Sequence, residues 1–237
     1  MIDFALEKLN KKTIVFLMIF FAIMLFALFA DKLPYNSGDE ITNETLISYF
    51  EKLNDNYTLN VSINKNDIEE KHVYYTDSKL ELYEDNDGNG FIKYNDKYYK
   101  VNEEDFSLSK TDGFDFTDKY TNVLLIKSLI PYCDFRVINK ANIECNVNVS
   151  DYISEYNKIY GSEIPSIDEK MLIHINHLDK YLNYVQIDYT NINKLIDNKD
   201  EKLIYKITFD DIGTNDFSDL MELYKDTLKW GKSYVKD

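Results

Sequence analysis

Glycine and proline are scarce in this chain of 237 residues, which has seven of the first and three of the second. Their scarcity indicates ordered elements joined by asparagine and aspartate turns rather than by flexible linkers. Intrinsic disorder is excluded as well, because aromatic residues make up 15% of the chain and include twenty tyrosines. The composition therefore predicts a folded protein with tight turns.

Positive charge is the second shortage. The chain has 27 lysines and arginines against 42 aspartates and glutamates, for a net charge of −15. Residues 1–30 carry a slight positive excess, so the negative charge lies on the remainder. Such a surface repels a phosphate backbone, and nucleic acid is therefore excluded as a partner.

Long hydrophobic runs are absent except for one near the N-terminus. From Ile14 to Ala30 no charged or strongly polar residue occurs, and Thr13 extends the run to eighteen residues. A helix of this length spans about 27 Å, close to the roughly 30 Å of a hydrocarbon core. Lys8, Lys11 and Lys12 precede it, so the positive-inside rule places residues 1–12 in the cytoplasm. The sequence predicts a single-pass cell-membrane protein whose C-terminal domain is extracytoplasmic.

A cleaved signal peptide is the alternative interpretation of this run. The run is longer than the usual hydrophobic region of a signal peptide, and Leu28 occupies the −3 position of a cut after Ala30, where a small residue is required. These features favour an uncleaved signal-anchor. The predicted organisation is then as follows: a cytoplasmic tail at 1–12, a transmembrane helix at 13–30, a stalk at 31–43, one domain at 44–228 and a C-terminal tail at 229–237.

Within the domain, the hydrophobic period changes from helical to alternating. Residues 44–53 have apolar side chains at helical spacing, whereas residues 57–63, 143–149 and 203–209 alternate strictly. Strict alternation is typical of antiparallel strands with one buried face. Further strands are predicted at 71–76, 79–84, 91–95, 97–101, 170–177 and 181–189, and further helices near 119–130, 151–160 and 191–197.

The stretch from Asp85 to Asp96 resembles the loop of a calcium-binding EF-hand. An EF-hand also requires apolar helices on both sides, but the flanks here alternate as strands. The final ligand would be Asp96 instead of the longer glutamate, which weakens a calcium site. Asn, Asp and Gly tolerate the positive φ angles of a hairpin, so the sequence favours a hairpin and leaves weak calcium binding as the alternative.

The other residue types that can catalyse reactions or bind metals form no catalytic or metal site. His174 and His177 are three apart on a predicted strand, so they face opposite sides and cannot share a metal ion. His72 has no partner in the sequence pattern, and no nucleophile elbow, P-loop or zincin motif occurs. We therefore expect neither an enzyme nor a cofactor, and an envelope hydrolase ranks far behind a binding protein.

The chain has two cysteines, Cys133 and Cys145. No cysteine precedes Cys133, which excludes a lipid attached to a cysteine at a mature N-terminus. Outside the membrane a disulfide is permitted, and closing this loop would stabilise the fold by about 3 kcal/mol. Cys145 also lies on the apolar face of its strand, where a buried free thiol is ordinary. The sequence leaves both interpretations open.

The order of these elements resembles the bacterial lipoprotein-carrier superfamily, the LolA- and LppX-like folds. The resemblance rests on an opening helix followed by "YFEKLNDNYTLNVSI", on tyrosine-rich hairpins and "YVQIDYTNINKLI", and on "KLIYKITFDDIGTNDFSDL" near the end. It covers about residues 44–225. It implies an α+β domain with one curved antiparallel sheet, an unclosed half-barrel, with helices on the concave side and an apolar cavity that holds acyl chains.

Two functions follow from this resemblance and from the apolar strand faces. In the first, the domain binds an apolar envelope molecule, a lipid or a lipoprotein acyl chain. In the second, side chains fill the cavity and the domain is a membrane-tethered scaffold or interaction module. The predicted cavity-lining residues are Tyr57, Leu59, Val61, Leu203, Tyr205, Ile207 and Phe209. The sequence names no oligomeric state.

Overall fold

The computed structural model describes residues 41–77, 79–102, 104, 107–112, 119–225 and 228. The compact unit that contains them begins at Ile41. The predicted cytoplasmic tail, the transmembrane segment at 13–30 and the C-terminal tail lie outside these residues, as does most of the predicted stalk. Within the described part, no helix is long and apolar enough to span a membrane.

A single antiparallel sheet dominates the described residues. Its strand order is β6-β5-β4-β3-β2-β1-β11-β10-β9-β8-β7, and the two end strands do not pair with each other, so the sheet is unclosed. The eleven strands are β1 (Asn56–Lys65), β2 (Ile68–Asp77), β3 (Glu81–Glu84), β4 (Gly90–Tyr94), β5 (Lys97–Val101), β6 (Leu108–Thr111), β7 (Asp134–Val137), β8 (Asn142–Asn148), β9 (Lys170–Leu178), β10 (Tyr181–Asp188) and β11 (Leu203–Asp210).

Five α-helices precede, connect or follow these strands in the described part. They are α1 (Asn43–Glu51), α2 (Val123–Leu129), α3 (Val149–Tyr160), α4 (Thr190–Ile196) and α5 (Ser218–Leu223), and a 3₁₀ turn (Ile130–Tyr132) extends α2. The predicted helices near 44–53, 119–130, 151–160 and 191–197 correspond to α1 to α4. The sequence pattern did not predict β6, β7 and α5, which are short and carry polar residues at half or more of their positions.

The main core lies between one face of the sheet and helices α1 to α4. Strict alternation in β1 and β11 places their apolar residues opposite each other, as in the pairs Leu59–Phe209 and Val61–Ile207. Helix α1 adds Phe50 to this core, and α3 adds Tyr152, which is fully buried. Burial of apolar surface of this extent is the main stabilising contribution to the fold.

A second core lies on the opposite face, over strands β3 to β6. Neighbouring residues of a strand point to opposite faces. Tyr83 packs against the main core, whereas its neighbour Leu82 packs with Ile92 against Tyr224 and Leu228. Helix α5 therefore covers the face that α1 to α4 leave open, which differs from the expectation that all helices lie on one side.

The chain reaches this second face beside Asn56, the first residue of β1. Asn56 and Asn215 make two reciprocal hydrogen bonds. The Asn56 side-chain amide donates to the Asn215 backbone carbonyl at 2.9 Å, and the Asn215 backbone N–H donates to Asn56 Oδ1 at 3.0 Å. The Gly213 N–H donates to the Asn56 carbonyl at 2.8 Å. Gly213 has a φ of 74°, a conformation that favours glycine.

The EF-hand-like stretch is a hairpin, as predicted. Strands β3 and β4 pair directly, and residues 85–89 connect them. Asp85 Oδ1 accepts hydrogen bonds from the backbone N–H groups of Asp87 and Asn89, both at 2.9 Å. The Asp85 carboxylate therefore serves as the internal acceptor of the turn.

The two cysteines form a disulfide bond in the structure. Cys133 follows the 3₁₀ turn, Cys145 lies on β8, and their Cα atoms are 5.3 Å apart. Cys145 is also fully buried in the main core, so its position on the apolar strand face is as predicted. The bond ties the end of helix α2 to the sheet.

Candidate functional site

The predicted cavity-lining residues fall into two groups. Six of them are buried in the main core with at most 7% of their surface exposed: Leu59, Val61, Leu203, Tyr205, Ile207 and Phe209. Tyr57, at the start of β1, is half-buried and packs at the edge of that core. It lines a cleft, which we call the Tyr57–Tyr74 cleft.

The cleft lies between helices α1 and α2 on one side and strands β1 to β4 on the other, and its volume is about 470 Å³. Small-molecule sites typically measure about 300–1,000 Å³. Its walls comprise Phe50, Glu51, Leu53, Asn54, Asp55, Tyr57, Tyr74, Glu81, Lys93, Asn122, Val123, Leu124 and Lys127.

Two helix ends supply the apolar part of the cleft. Phe50 and Leu53, at the C-terminal end of α1 and just beyond it, are almost fully buried and form its base. Val123 and Leu124 begin α2, whose first N–H groups are capped by Asn122 Oδ1 at 3.0 and 3.1 Å. This cap fixes Leu124 at the rim with 71% of its surface exposed. An apolar ligand would therefore meet a buried base and one exposed leucine.

Tyr57 and Tyr74 form an aromatic pair on the strand side of the cleft. Leu59 pairs with Tyr74 in the register of β1 and β2, which places Tyr57 diagonally opposite Tyr74 on the same face. Their ring centroids are 6.1 Å apart and the rings are tilted by 48°. This geometry is typical of favourable aromatic contacts.

Carboxylates outnumber cations along the cleft walls. Lys93 Nζ contacts both oxygens of Glu81, at 3.0 and 3.2 Å. Lys127 Nζ lies 3.1 Å from Glu51 Oε1. Asp55 is exposed and makes no ion pair with any residue that the structure describes. The two lysines are thus each neutralised, and one carboxylate is left over.

Burial and this excess negative charge raise the pKa of both tyrosines. Burial, together with the charges of Asp55 and Glu81, raises the pKa of Tyr57 to about 12. Burial is also the main cause that raises the pKa of Tyr74, with Glu81 second. Both hydroxyls therefore stay neutral at physiological pH, beside a negative potential.

The histidines lie away from this cleft. On β9, His177 is buried and its ring lies 5.1 Å from that of Tyr49, while His174 is on the opposite face, as predicted. His72 Nδ1 lies 2.8 Å from the Tyr83 hydroxyl, a contact that the sequence pattern did not indicate.

The sequence pattern did not indicate most of the cleft. Tyr74 lies on the predicted strand 71–76, but its proximity to Tyr57 depends on the register of β1 and β2. Phe50 and Leu53 were assigned to a helix from their spacing, without a partner. The one available signal was the alternation in both strands, which indicates a shared face but no pairing.

The fold and the cleft together define a single-sheet α+β domain with a lateral cleft between helices and strands. Among solved structures, the chain is similar to LprF from Mycobacterium bovis, with 11% sequence identity and a TM-score of 0.42. That similarity covers 73% of this chain and 93% of LprF. No protein-family model matches the sequence. No curated protein matches it either.

Proposed function

We propose that this domain binds an apolar envelope molecule, a lipid or lipoprotein acyl chain, in the Tyr57–Tyr74 cleft. The observation that carries the proposal is the cleft itself, whose base is formed by the buried Phe50 and Leu53 and which is about 470 Å³ in volume. The proposal includes the predicted anchor at 13–30, which would hold the domain outside the cell membrane.

The energetics set the length of chain that the site would need. Each buried methylene contributes about 0.8 kcal/mol, whereas association costs at least about 4 kcal/mol. Micromolar binding corresponds to about −8 kcal/mol, so roughly fifteen methylenes are required. This is the length of a common acyl chain.

The proposed acyl-chain site differs in location from the cavity that the apolar strand faces suggested. In the middle of β1 and β11, Val61 and Ile207 already pack against core side chains and are almost fully buried. Tyr57 is the member of the predicted set that borders the described cleft. We therefore place the acyl chain at this end of the sheet.

Ligand uptake tests the proposal directly. A protein that begins at Ile41, where the compact unit begins, would be delipidated and titrated with a fluorescent fatty acid, and bound species would be counted by native mass spectrometry. We expect one bound chain per protein. Leu124→Ser removes an apolar contact at the rim and should weaken binding by about fivefold or more.

Leu178→Ser is the matched control. Leu178 is as exposed as Leu124, at 69% against 71%, but it lies at the end of β9 and does not line the cleft. We expect this variant to bind like the native protein. Absence of any uptake by the native protein would contradict the proposal.

A scaffold module without a ligand is the second candidate function. The observation that favours it is the burial of six predicted cavity residues in the main core, each at most 7% exposed. A protein that retains no lipid and takes up no fatty acid would support this function instead.

A further inference from the structure

We infer that the Tyr57–Tyr74 cleft recognises an organic cation, a quaternary or primary alkylammonium group, as the polar head of its ligand. This inference rests on the proposed function, since it names the head group of the molecule whose chain would occupy the same cleft. It is carried by the aromatic pair and by the nearby carboxylate of Asp55, which makes no ion pair with the residues that the structure describes.

The aromatic pair supplies the first half of the recognition. Tyr57 and Tyr74 both line the cleft, with ring centroids 6.1 Å apart; Tyr57 is half-buried and Tyr74 keeps 8% of its surface exposed. The face of an aromatic ring attracts a cation that lies within about 6 Å of the centroid. Paired aromatic faces are the usual means by which proteins bind alkylated ammonium groups.

The carboxylates supply the second half. Asp55 is two residues from Tyr57 and forms no ion pair in the described part of the chain, so its charge is available to a ligand. Lys93 and Lys127 line the same cleft, but Glu81 and Glu51 neutralise them. An anionic head group would have to displace one of these carboxylates, whereas a cation can pair with Asp55 without displacing a described cation.

The backbone fixes Asp55 in this position. Asn54 and Asp55 have φ angles of 46° and 55°, and the Asp55 carbonyl accepts a hydrogen bond from the Thr76 hydroxyl at 3.2 Å. Asparagine and aspartate are the residues that best tolerate this conformation. Asp55→Asn therefore removes the charge and preserves the turn.

The experiment compares choline with 3,3-dimethyl-1-butanol, its uncharged carbon isostere. The two molecules have the same shape and differ in charge, and both dissolve in water, so the full chain can be studied in non-ionic micelles. Saturation-transfer NMR titration of each probe gives its affinity. We expect choline to bind about threefold to tenfold more tightly than the isostere.

Four variants, one of them a control, divide the effect between charge and ring. Asp55→Asn should reduce the preference for choline towards unity. Asp67→Asn is the matched control, since Asp67 is also an exposed turn residue with positive φ, and it should leave the preference unchanged. Tyr57→Leu should lower choline affinity, whereas Tyr57→Phe keeps the ring and should retain it.

Equal binding of choline and its isostere to the native protein would overturn the inference, as would equal effects of Asp55→Asn and Asp67→Asn. Fatty-acid uptake without a choline preference would defeat the inference and leave the proposed function standing. Loss of fatty-acid uptake and of the preference together would defeat both.

Discussion

Individual polar residues fix the segments that surround the main core. Asp197 ends helix α4 and accepts a hydrogen bond from the Tyr120 hydroxyl at 2.8 Å, and Lys119 forms an ion pair with the other carboxylate oxygen. Tyr120 is buried and its ring lies 4.8 Å from that of Tyr189. One carboxylate thus joins the segment before α2 to α4.

At this scale we predict that Asp197→Asn lowers the free energy of unfolding by about 1–2 kcal/mol, because it removes a charged partner from two hydrogen bonds. Chemical denaturation at neutral pH measures the change. Asp200→Asn is the control, since Asp200 pairs with Lys194 at a side-chain exposure of 82% and should change stability by less than about 0.5 kcal/mol.

The pKa of Asp197 predicts how the stability of the fold depends on pH. Burial raises the pKa of Asp197, but the hydrogen bonds from Lys119 and Tyr120 outweigh it, so the folded pKa lies below the usual value. Its contribution to stability is therefore present above the unfolded pKa and is lost as the pH falls through the folded pKa. Asp197→Asn should flatten the acid limb of the stability curve. An unchanged acid limb would contradict this prediction.

At the scale of elements, the β3–β4 hairpin shows how turn chemistry produces a motif that resembles a metal site. Asn89 donates to the Asp85 carboxylate from its backbone and from its side-chain amide. Burial raises the pKa of Asp85, but these hydrogen bonds more than offset it, and the pKa lies below its usual range. The carboxylate is thus occupied by its own turn.

Two glycines of this hairpin provide a matched test of the turn conformation. Gly88 has a φ of 84°, whereas a Cβ on Gly90 would meet Val101 at an ordinary 3.5 Å. Gly88→Ala should cost about 1 kcal/mol, and Gly90→Ala should be neutral within about 0.5 kcal/mol. Thermal unfolding, with and without millimolar calcium, measures both.

Calcium should not shift the melting temperature of the native protein or of either glycine variant. Asp85→Asn with Asp87→Asn should also change stability little, since asparagine serves almost equally well in turns. A calcium-dependent rise of several degrees that this double variant abolishes would contradict the hairpin interpretation.

Helix α5 is the element that closes the second core. Tyr224, directly after α5, is 3% exposed and packs in the cluster of Leu80, Ile92 and Tyr99, whereas its neighbour Leu223 is 50% exposed. Tyr224→Ala should therefore cost about 2–4 kcal/mol, and Leu223→Ala less than about 0.5 kcal/mol.

Native-state hydrogen exchange would locate this effect. We expect the amides of β4 and β5 to exchange faster in Tyr224→Ala, while those of β10 and β11 change less, because the two cores lie on opposite faces. Uniform acceleration over the whole sheet would show that the cores unfold together.

At the scale of the whole molecule, the apolar run at 13–30 predicts an orientation in the membrane. Protease added to intact spheroplasts should digest the tyrosine-rich domain and spare the first dozen residues, since Lys8, Lys11 and Lys12 favour the cytoplasmic side. Protection of the domain would contradict this topology. Recovery of a chain that begins near Asp31 outside the membrane fraction would indicate a cleaved signal peptide.

The sequence by itself determined most of the local structure. Alternation at 57–63, 143–149 and 203–209 predicted β1, β8 and β11 and their buried face, because each side chain's face follows from a period of two. Turn residues predicted the β3–β4 hairpin for a similarly local reason. The sequence left β6, β7 and α5 unassigned, since four to six residues with mixed polarity carry no clear period.

The tertiary structure alone decided how those faces were covered. Neighbouring residues Leu82 and Tyr83 both resemble strand core residues, yet one packs under α5 and the other toward the main core. The same long-range packing buries Ile207 in the main core and leaves a cleft beside Tyr57. Local patterns set the direction of a side chain, but only the strand register and the helices that arrive from distant parts of the chain determine what it meets.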